Sequence, residues 1–251
     1  MSKEIYITKR SGEKELLDLD KMHFVVEEAC SELAGVSSSQ IEMNADLQFY
    51  DGMTSEEIQE ILIRSANDLI SLEAPNYQFA AARLLLYGLH KKVYKRYEHQ
   101  SLSQIIDDNI KRKVYDPAIK DKYSDTELKK MNTWIKHERN EDFTYAGLRQ
   151  VVDKYLCQDR SNGDIYETPQ FMYMMIAATL FADYPADTRL SYVKRYYDAT
   201  SLFKINIPTP VMAGVRTPIR QFASCVLVDV DDTLPSIFSS NSAIGYYIAQ
   251  R

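Results

Sequence analysis

The 251-residue sequence predicts a mainly α protein with small β elements, and three observations predict it. Apolar residues recur at three- and four-residue spacing through most of the chain, the period of one helix face. Helix-start signals stand ahead of those runs. Thr54 with Glu57 and Ser124 with Glu127 have the spacing of capping boxes, and Pro169 stands at a first helical position. Strand-like runs are short and few, at 5–9, 14–17 and 224–229.

The first two runs read as strands joined by a turn at Ser11-Gly12-Glu13. A helix over 20–33 follows, with Met22, Val25, Val26, Ala29 and Leu33 at helical spacing. A second helix covers 38–49 and is broken by Asp51-Gly52. The helix opened by Thr54 places Ile58, Ile61, Leu62, Ser65 and Leu69 on one face. Pro75 ends the next turn, and a helix over 76–94 turns Phe79, Ala82, Leu86 and Leu89 inward. These elements make a first domain, 1–95, of short strands capping a helical bundle, and the charged run 91–100 marks its end. Helices at 101–114, 125–138 and 145–157, a turn at Asn162-Gly163, an apolar helix from Pro169 and a helix over 186–201 make a second, helical region, 96–205. In the third region, 206–251, a proline-rich loop at 207–218 leads to a buried strand over 224–229 and then to a helix from Thr233.

Composition narrows the function. Hydrophobic residues at 45% supply real cores, and 26% charged residues suit a soluble, cytoplasmic protein. No run reaches the roughly 18 apolar residues that span a bilayer, and the start lacks a signal-peptide core. A net charge of -6 argues against direct nucleic-acid binding. Cys30, Cys157 and Cys225 form neither a disulfide framework nor a zinc spacing, and His23, His90, His99 and His137 are scattered, so no metal is expected. Cys30 and Cys157 read as packing residues, as do most of the eighteen tyrosines. Asp229, Asp231 and Asp232 read as a strand end and a helix cap rather than as metal ligands.

Basic residues gather where the first domain would bring them together. Lys9 and Arg10 end the first strand, Lys21 opens the first helix, and Lys91 and Lys92 close the last. Cations beside helix N-termini suit a polyphosphate, although no Walker motif is present. The run Ile7-Thr8-Lys9-Arg10-x-Gly12-x-x-Glu15 to Leu19-Asp20-Lys21, with Gln48-Phe49-Tyr50-Asp51-Gly52 and Ala81-Ala82-Arg83-Leu84, resembles an ATP-cone. That is the regulatory nucleotide module of ribonucleotide reductase large subunits, in which ATP sustains activity and dATP stops it. The resemblance implies nucleotide contacts by Ile7, Lys9, Arg10, Glu15, Leu17, Lys21, Ser55, Gln59 and Lys91.

The resemblance continues through Asp159-Arg160-x-x-Gly163-x-Ile165-Tyr166-Glu167-x-x-Gln170-Phe171 and Arg189-Leu190-x-Tyr192-Val193-Lys194-Arg195, and ends with Pro208-Thr209-Pro210 and Ser224-Cys225. It spans essentially the whole chain and is similar to the class I large (alpha) subunit, whose catalytic domain is a β/α barrel. That family reduces ribonucleoside diphosphates with a thiyl radical and a pair of reducing cysteines, re-reduced by a dithiol such as thioredoxin or glutaredoxin. The resemblance makes Cys225 one of that pair, gives Thr209 and Ser224 to substrate binding, and gives Asp232, Thr233 and Leu234 to a specificity-effector site.

In the family, the radical cysteine, the partner of Cys225, the effector loops and the tail cysteines lie beyond the point matching Arg251. The chain therefore reads as an N-terminal component that acts with a complementary C-terminal large-subunit chain and a radical-bearing small subunit, which carries the metal centre. Division of a gene and a cut chain both produce such a piece, and division is favoured because the segment after Cys225 needs a partner chain. A stand-alone ATP-binding regulatory module and an inactive truncated fragment are the alternatives. The Cys225 motif favours the first reading over a pure sensor.

One departure generates a test. Inhibited family members commonly carry histidine where this chain has Gln59, and a glutamine is neither cationic nor aromatic. Titrating dATP into the assembled reductase is expected to give weak inhibition or none; complete inhibition at micromolar dATP would remove this role of Gln59.

Overall fold

In the computed structural model, residues 5–9, 12–95, 99–219 and 222–249 are described. Arg10 and Ser11, and the 96–98 part of the charged run, lie outside them. Along the chain come β1 (Tyr6–Thr8), β2 (Lys14–Leu16), α1 (Leu19–Cys30), α2 (Ser38–Asp46), α3 (Ser55–Asn67), α4 (Tyr77–Tyr94), α5 (Leu102–Lys111), α6 (Ile119–Lys122) and α7 (Asp125–Trp134). A 3-10 helix (His137–Asp142) precedes α8 (Tyr145–Lys154), β3 (Gln158–Asp159), β4 (Asp164–Ile165), α9 (Pro169–Leu180), α10 (Arg189–Ser201), α11 (Thr209–Gly214) and α12 (Leu234–Ala249). The fold is mainly helical with two small two-stranded sheets. The chain forms two compact units, one of residues 1–101 with 135–171 and the other of 102–134 with 172–251.

The first unit is organised by α4. Tyr77, Ala80, Ala81, Ala82, Leu84, Leu85, Leu86, Gly88, Leu89 and Tyr94 are all buried, so the helix is apolar around its circumference. Such a helix needs cover on all sides. It is covered by α1, α3, α8 and the 3-10 helix. The predicted face of α3 packs inward, with Ile58, Ile61, Leu62 and Ser65 buried. The Thr54 box forms in both directions: Glu57 N–H donates to Thr54 Oγ1 (3.1 Å) and Thr54 N–H to Glu57 Oε2 (2.7 Å). Arg83 leaves the α4 barrel of contacts to donate from Nη1 to the Ser31 carbonyl (2.7 Å), which fixes the end of α1.

β1 and β2 pair antiparallel, Tyr6 opposite Leu16 and Thr8 opposite Lys14. The other edge of β1 is held by the Asp51-Gly52 segment. Tyr6 N–H donates to Asp51 Oδ1 (2.8 Å), Gly52 N–H to the Tyr6 carbonyl (2.8 Å), and Thr8 N–H to the Met53 carbonyl (2.9 Å). Gly52 has φ +87°, a conformation in which a β-carbon would be strained. The break between α2 and α3 is thus the piece that brings the start of α3 to the strands.

Three of the four histidines, far apart in sequence, meet in this unit. His99 and His137 stack at 3.9 Å between ring centroids, and His90 meets His99 edge-on at 5.1 Å. Tyr94 and Phe171 complete the cluster, and Tyr94 Oη lies 3.0 Å from Thr168 Oγ1. Burial, reinforced by the neighbouring imidazoles, pulls His90 down to about 4 and His137 to about 3; burial alone lowers His99.

In the second unit α9 is the apolar element, and Met172, Met174, Met175, Ile176, Ala177 and Ala178 are buried. Tyr123 Oη donates to the Ala178 carbonyl (2.8 Å). Arg189 Nη2 reaches both carboxylate oxygens of Glu127 (2.7 and 2.8 Å), and its guanidinium lies over the Tyr123 ring at 4.6 Å. The same Glu127 accepts from Ser124 N–H (2.8 Å), completing the second capping box.

Several expectations change. The helix expected over 125–138 divides, because Lys136 (φ -114°, ψ 86°) leaves helical backbone geometry and the 3-10 helix starts anew. The 145–157 helix stops at Lys154, and β3 and β4 pair around the Asn162-Gly163 turn. Within the 207–218 loop, Thr209–Gly214 is helical, since Pro208 caps it and Pro210 falls in the first turn, where proline's fixed φ fits. Residues 224–229 form no strand and are not buried: Val226 is 48% and Leu227 100% exposed. A strand exists through its ladder, and no partner strand lies beside this segment among the described residues. The helix beyond it, α12, has no buried residue.

The histidine cluster gives stability a pH dependence. Above pH 6.5 the imidazoles are neutral in both the folded and the unfolded chain. As pH falls below 6.5 the unfolded chain takes up protons that folded His90 and His137 refuse, so stability declines down to about 3. Thermal unfolding midpoints followed from pH 7 to 4 are expected to fall less steeply in His137→Phe than in the parent; parallel curves would clear the cluster of this role.

Candidate functional site

A cavity of about 390 Å³ opens in the first unit between the strands, α1, α3 and α4. Ile7 from β1 and Lys9 just beyond it, Glu15 from β2, Leu17, Lys21 in the first turn of α1, Ser55 and Gln59 on α3, and Lys91 near the end of α4 all line it. These are the site residues expected in this domain, except Arg10, which lies outside the described residues. Asp18, Met22, Val25, Ile58, Leu62 and Tyr87 also line the cavity and were missed. The apolar spacing of Met22, Val25, Ile58 and Leu62 was legible, but it reads equally as core.

Three lysines give the cavity its charge. Lys9 Nζ is paired to Glu15 at 2.5 Å, and this hydrogen bond raises the lysine's pKa. Lys91 Nζ lies 4.0 Å over the Tyr87 ring. Neighbouring Lys92 points elsewhere, 3.8 Å from Glu56, on the rim of a separate cleft. The two helix N-termini facing the strands carry their own caps: Asp18 Oδ1 accepts from Lys21 N–H (3.0 Å), as Thr54 does from Glu57. One N–H of each is thereby satisfied, and the remaining first-turn N–H groups keep their positive end. Gln59 is fixed by its own hydrogen bond, Nε2 donating to the Leu84 carbonyl at 2.8 Å. The arrangement is a mainly apolar pocket with three lysines, Glu15 and Asp18 in its lining, of a size that suits a small-molecule ligand.

The expected residues of the other region lie in the second unit. Thr209 opens α11. Ser224 and Cys225 sit in the exposed extended segment, Ser224 Oγ 3.9 Å from Cys225 Sγ. Asp232, Thr233 and Leu234 are exposed at the start of α12. The cap there is Thr233, whose Oγ1 accepts from Ser236 N–H (3.4 Å), rather than Asp232. Among the described residues no group of three histidine, cysteine or carboxylate side chains is placed to hold a metal ion. Nor, among them, is any helix long and apolar enough to cross a membrane.

Two family descriptions match the chain. Residues 5–92 match the ATP cone domain, and residues 141–220 match the all-alpha domain of ribonucleotide reductase. The whole chain is 47% identical to the ribonucleoside-diphosphate reductase 1 subunit alpha of Escherichia coli K12, covering 33% of it. It is also 47% identical to the subunit alpha of Haemophilus influenzae, again over 33% of that protein. It is 42% identical to the subunit alpha of Enterobacteria phage T4, over 98% of this chain and 32% of the relative.

The chain carries an ATP cone domain and the all-alpha domain of ribonucleotide reductase.

It spans about a third of the length of these reductase relatives. The lysine-lined cavity lies wholly within the stretch that matches the ATP cone domain. Thr209 falls in the stretch matching the reductase all-alpha domain, while Ser224 and Cys225 lie just beyond it.

The three thiols of this reductase homologue differ in environment. Cys157 is buried, Cys30 is half-buried with its thiol pushed up to about 11 by burial, and Cys225 is exposed. Alkylation needs an accessible thiolate. Brief iodoacetamide treatment of the folded chain at pH 8, read by peptide mass spectrometry, is expected to label Cys225 well ahead of the other two; equal labelling would contradict the exposed placement.

Proposed function

We propose that this chain is the N-terminal component of a class I ribonucleotide reductase large subunit, in which residues 1–95 form a regulatory ATP-cone that binds ATP or dATP. The observation that carries the reading is the cavity itself. Residues from five stretches of sequence, Ile7–Lys9 to Lys91, converge on one pocket with three lysines at its wall and apolar side chains beside them. Triphosphate oxygens suit Lys9, Lys21 and Lys91, the Ser55 hydroxyl and the first-turn N–H groups of α1 and α3. The base suits the apolar part, with Ile7, Leu17, Ile58 and Leu62. Arg10 belongs to this set by resemblance.

The catalytic part of the reading concerns residues 206–251 as the beginning of a β/α barrel, after a helical region over 96–205. Cys225 is one of the two reducing thiols. It delivers reducing equivalents to the substrate and ends in a disulfide with a cysteine supplied by the remainder of the large subunit, which thioredoxin, glutaredoxin or another dithiol reduces again. Thr209 and Ser224 hold the ribonucleoside diphosphate, and Asp232, Thr233 and Leu234 belong to the specificity-effector site. The radical comes from a small subunit with its own metal centre, and the assembly works in the cytoplasm. The extended, unladdered 224–229 segment and the uncovered α12 fit a chain that is completed by a complementary large-subunit polypeptide. A second reading, a stand-alone nucleotide-binding module, has the self-contained cavity of the first unit in its favour.

Two measurements separate these readings. Isothermal titration of the chain with Mg-ATP is expected to show binding that Lys91→Ala weakens about tenfold, the size of one charge-assisted hydrogen bond. Mixing the chain with a polypeptide carrying the rest of the large subunit and with the radical small subunit is expected to form deoxyribonucleotides in the presence of dithiol, and Cys225→Ser to abolish this. Nucleotide binding without reconstituted activity would leave the stand-alone module.

A further inference from the structure

Three hydroxyls of α12 stand on one stripe of the helix. Ser236, Ser240 and Tyr247 follow one another at i, i+4 and i+11. At 3.6 residues per turn they lie within about 40° of each other around the axis. Each is bonded to the backbone of the extended run that precedes the helix. Asp231 N–H donates to Ser236 Oγ (2.9 Å), Ser240 Oγ donates to the Asp229 carbonyl (3.3 Å), and Tyr247 Oη donates to the Ala223 carbonyl (2.9 Å). The order is reversed, 236, 240 and 247 against 231, 229 and 223, so α12 folds back antiparallel along the run. Burial marks the same stripe. Ser236 and Ser240 are the two half-buried residues of α12, and the rest of the helix is exposed.

An extended backbone must satisfy its polar groups somewhere. A hydroxyl both donates and accepts, so it can meet either an N–H or a carbonyl, as Ser236 and Ser240 do. Here hydroxyls stand in for a ladder along one edge. Asp229 and Asp231 are two residues apart, and alternate residues of an extended chain turn their backbone groups to the same edge. The intervening Val228 and Val230 turn theirs to the other edge, which α12 leaves open to a strand. The run is also anchored at its start. The Phe222 ring lies on Gly214, 3.6 Å from the place a β-carbon would take. Gly214 closes the short helix that Thr209 opens. Cys225 stands between these anchors, three residues after Phe222 and four before Asp229. We propose that Ser236, Ser240 and Tyr247 are positioning residues for the Cys225 thiol: they bond one edge of its segment, hold the thiol in place, and leave the other edge to receive a partner strand. This inference rests on the reading of Cys225 as a reducing thiol.

The test is electron paramagnetic resonance on the 251-residue chain with a nitroxide on Cys225, in a Cys30→Ser background that leaves one accessible thiol. The parent is expected to give mainly the immobile spectral component. Tyr247→Phe and Ser240→Ala are each expected to raise the ratio of mobile to immobile component about fivefold, the worth of one neutral hydrogen bond. Ser240→Thr keeps a hydroxyl and is expected to match the parent. Ser242→Ala and Tyr246→Phe, on other faces of α12, are expected to leave the ratio unchanged. A wholly mobile parent, an unchanged ratio in both Tyr247→Phe and Ser240→Ala, or an equal rise in Ser242→Ala and Tyr246→Phe overturns the proposal. So does a rise that comes with lost helical dichroism in both stripe variants, since a melting helix then frees the run. None of these readouts needs catalysis. Failed reconstitution of the reductase removes the reducing-thiol reading and leaves the nitroxide result as it is, so the two failures are distinguishable.

Discussion

The enclosure of α4 is the constraint on which the first unit depends. A helix with buried residues on every side cannot stand in water, so each neighbour is there in part to cover it. Covering it also creates the working surfaces. The face toward α1 and α3 leaves the lysine-lined cavity, and the face toward α8 and the β3–β4 hairpin leaves the second cleft. Small residues decide how closely each neighbour approaches, and Gly88 is the clearest case, since its missing side chain is filled by Gln59.

The site inherits its geometry from this packing and from the segment that links α2 to α3. Asp51, Gly52 and Met53 hydrogen-bond to β1, and that pairing carries the first turn of α3 to the strand end that bears Lys9. Charge is then distributed without an excess of partners: Glu15 answers Lys9, while Lys92, one residue beyond Lys91, is turned to Glu56 on another surface. The cation next to the cavity is thereby set by helical phase, because consecutive residues on a helix face different ways.

Much of this was legible in the amino acids. Both capping boxes form as written, because a threonine or serine three residues ahead of a glutamate satisfies two backbone donors locally, whatever surrounds it. The face of α3 was legible for the same reason of periodicity. The eight described cone residues were named from resemblance, and physics alone would have treated scattered lysines as a solvated face. What stayed hidden depends on distant partners. Three histidines separated by up to 47 positions carry no local signal of their stacking (137 minus 90). The 224–229 segment has the composition of a strand, but a ladder is a property of neighbours, and among the described residues it has none. Gln59 was noticed as a departure from a pattern; its tether to Leu84 could be seen only in three dimensions.

The uncovered 224–249 stretch also constrains what can lie against it. An extended run with Leu227 fully exposed, followed by a helix with Leu234, Phe238, Tyr246 and Ile248 mostly in solvent, is an adhesive surface. Left free, it pairs with any passing edge, including its own copies, and the rate of that error rises with concentration. Covering it calls for a surface that offers a strand edge to 224–229 and an apolar face to α12.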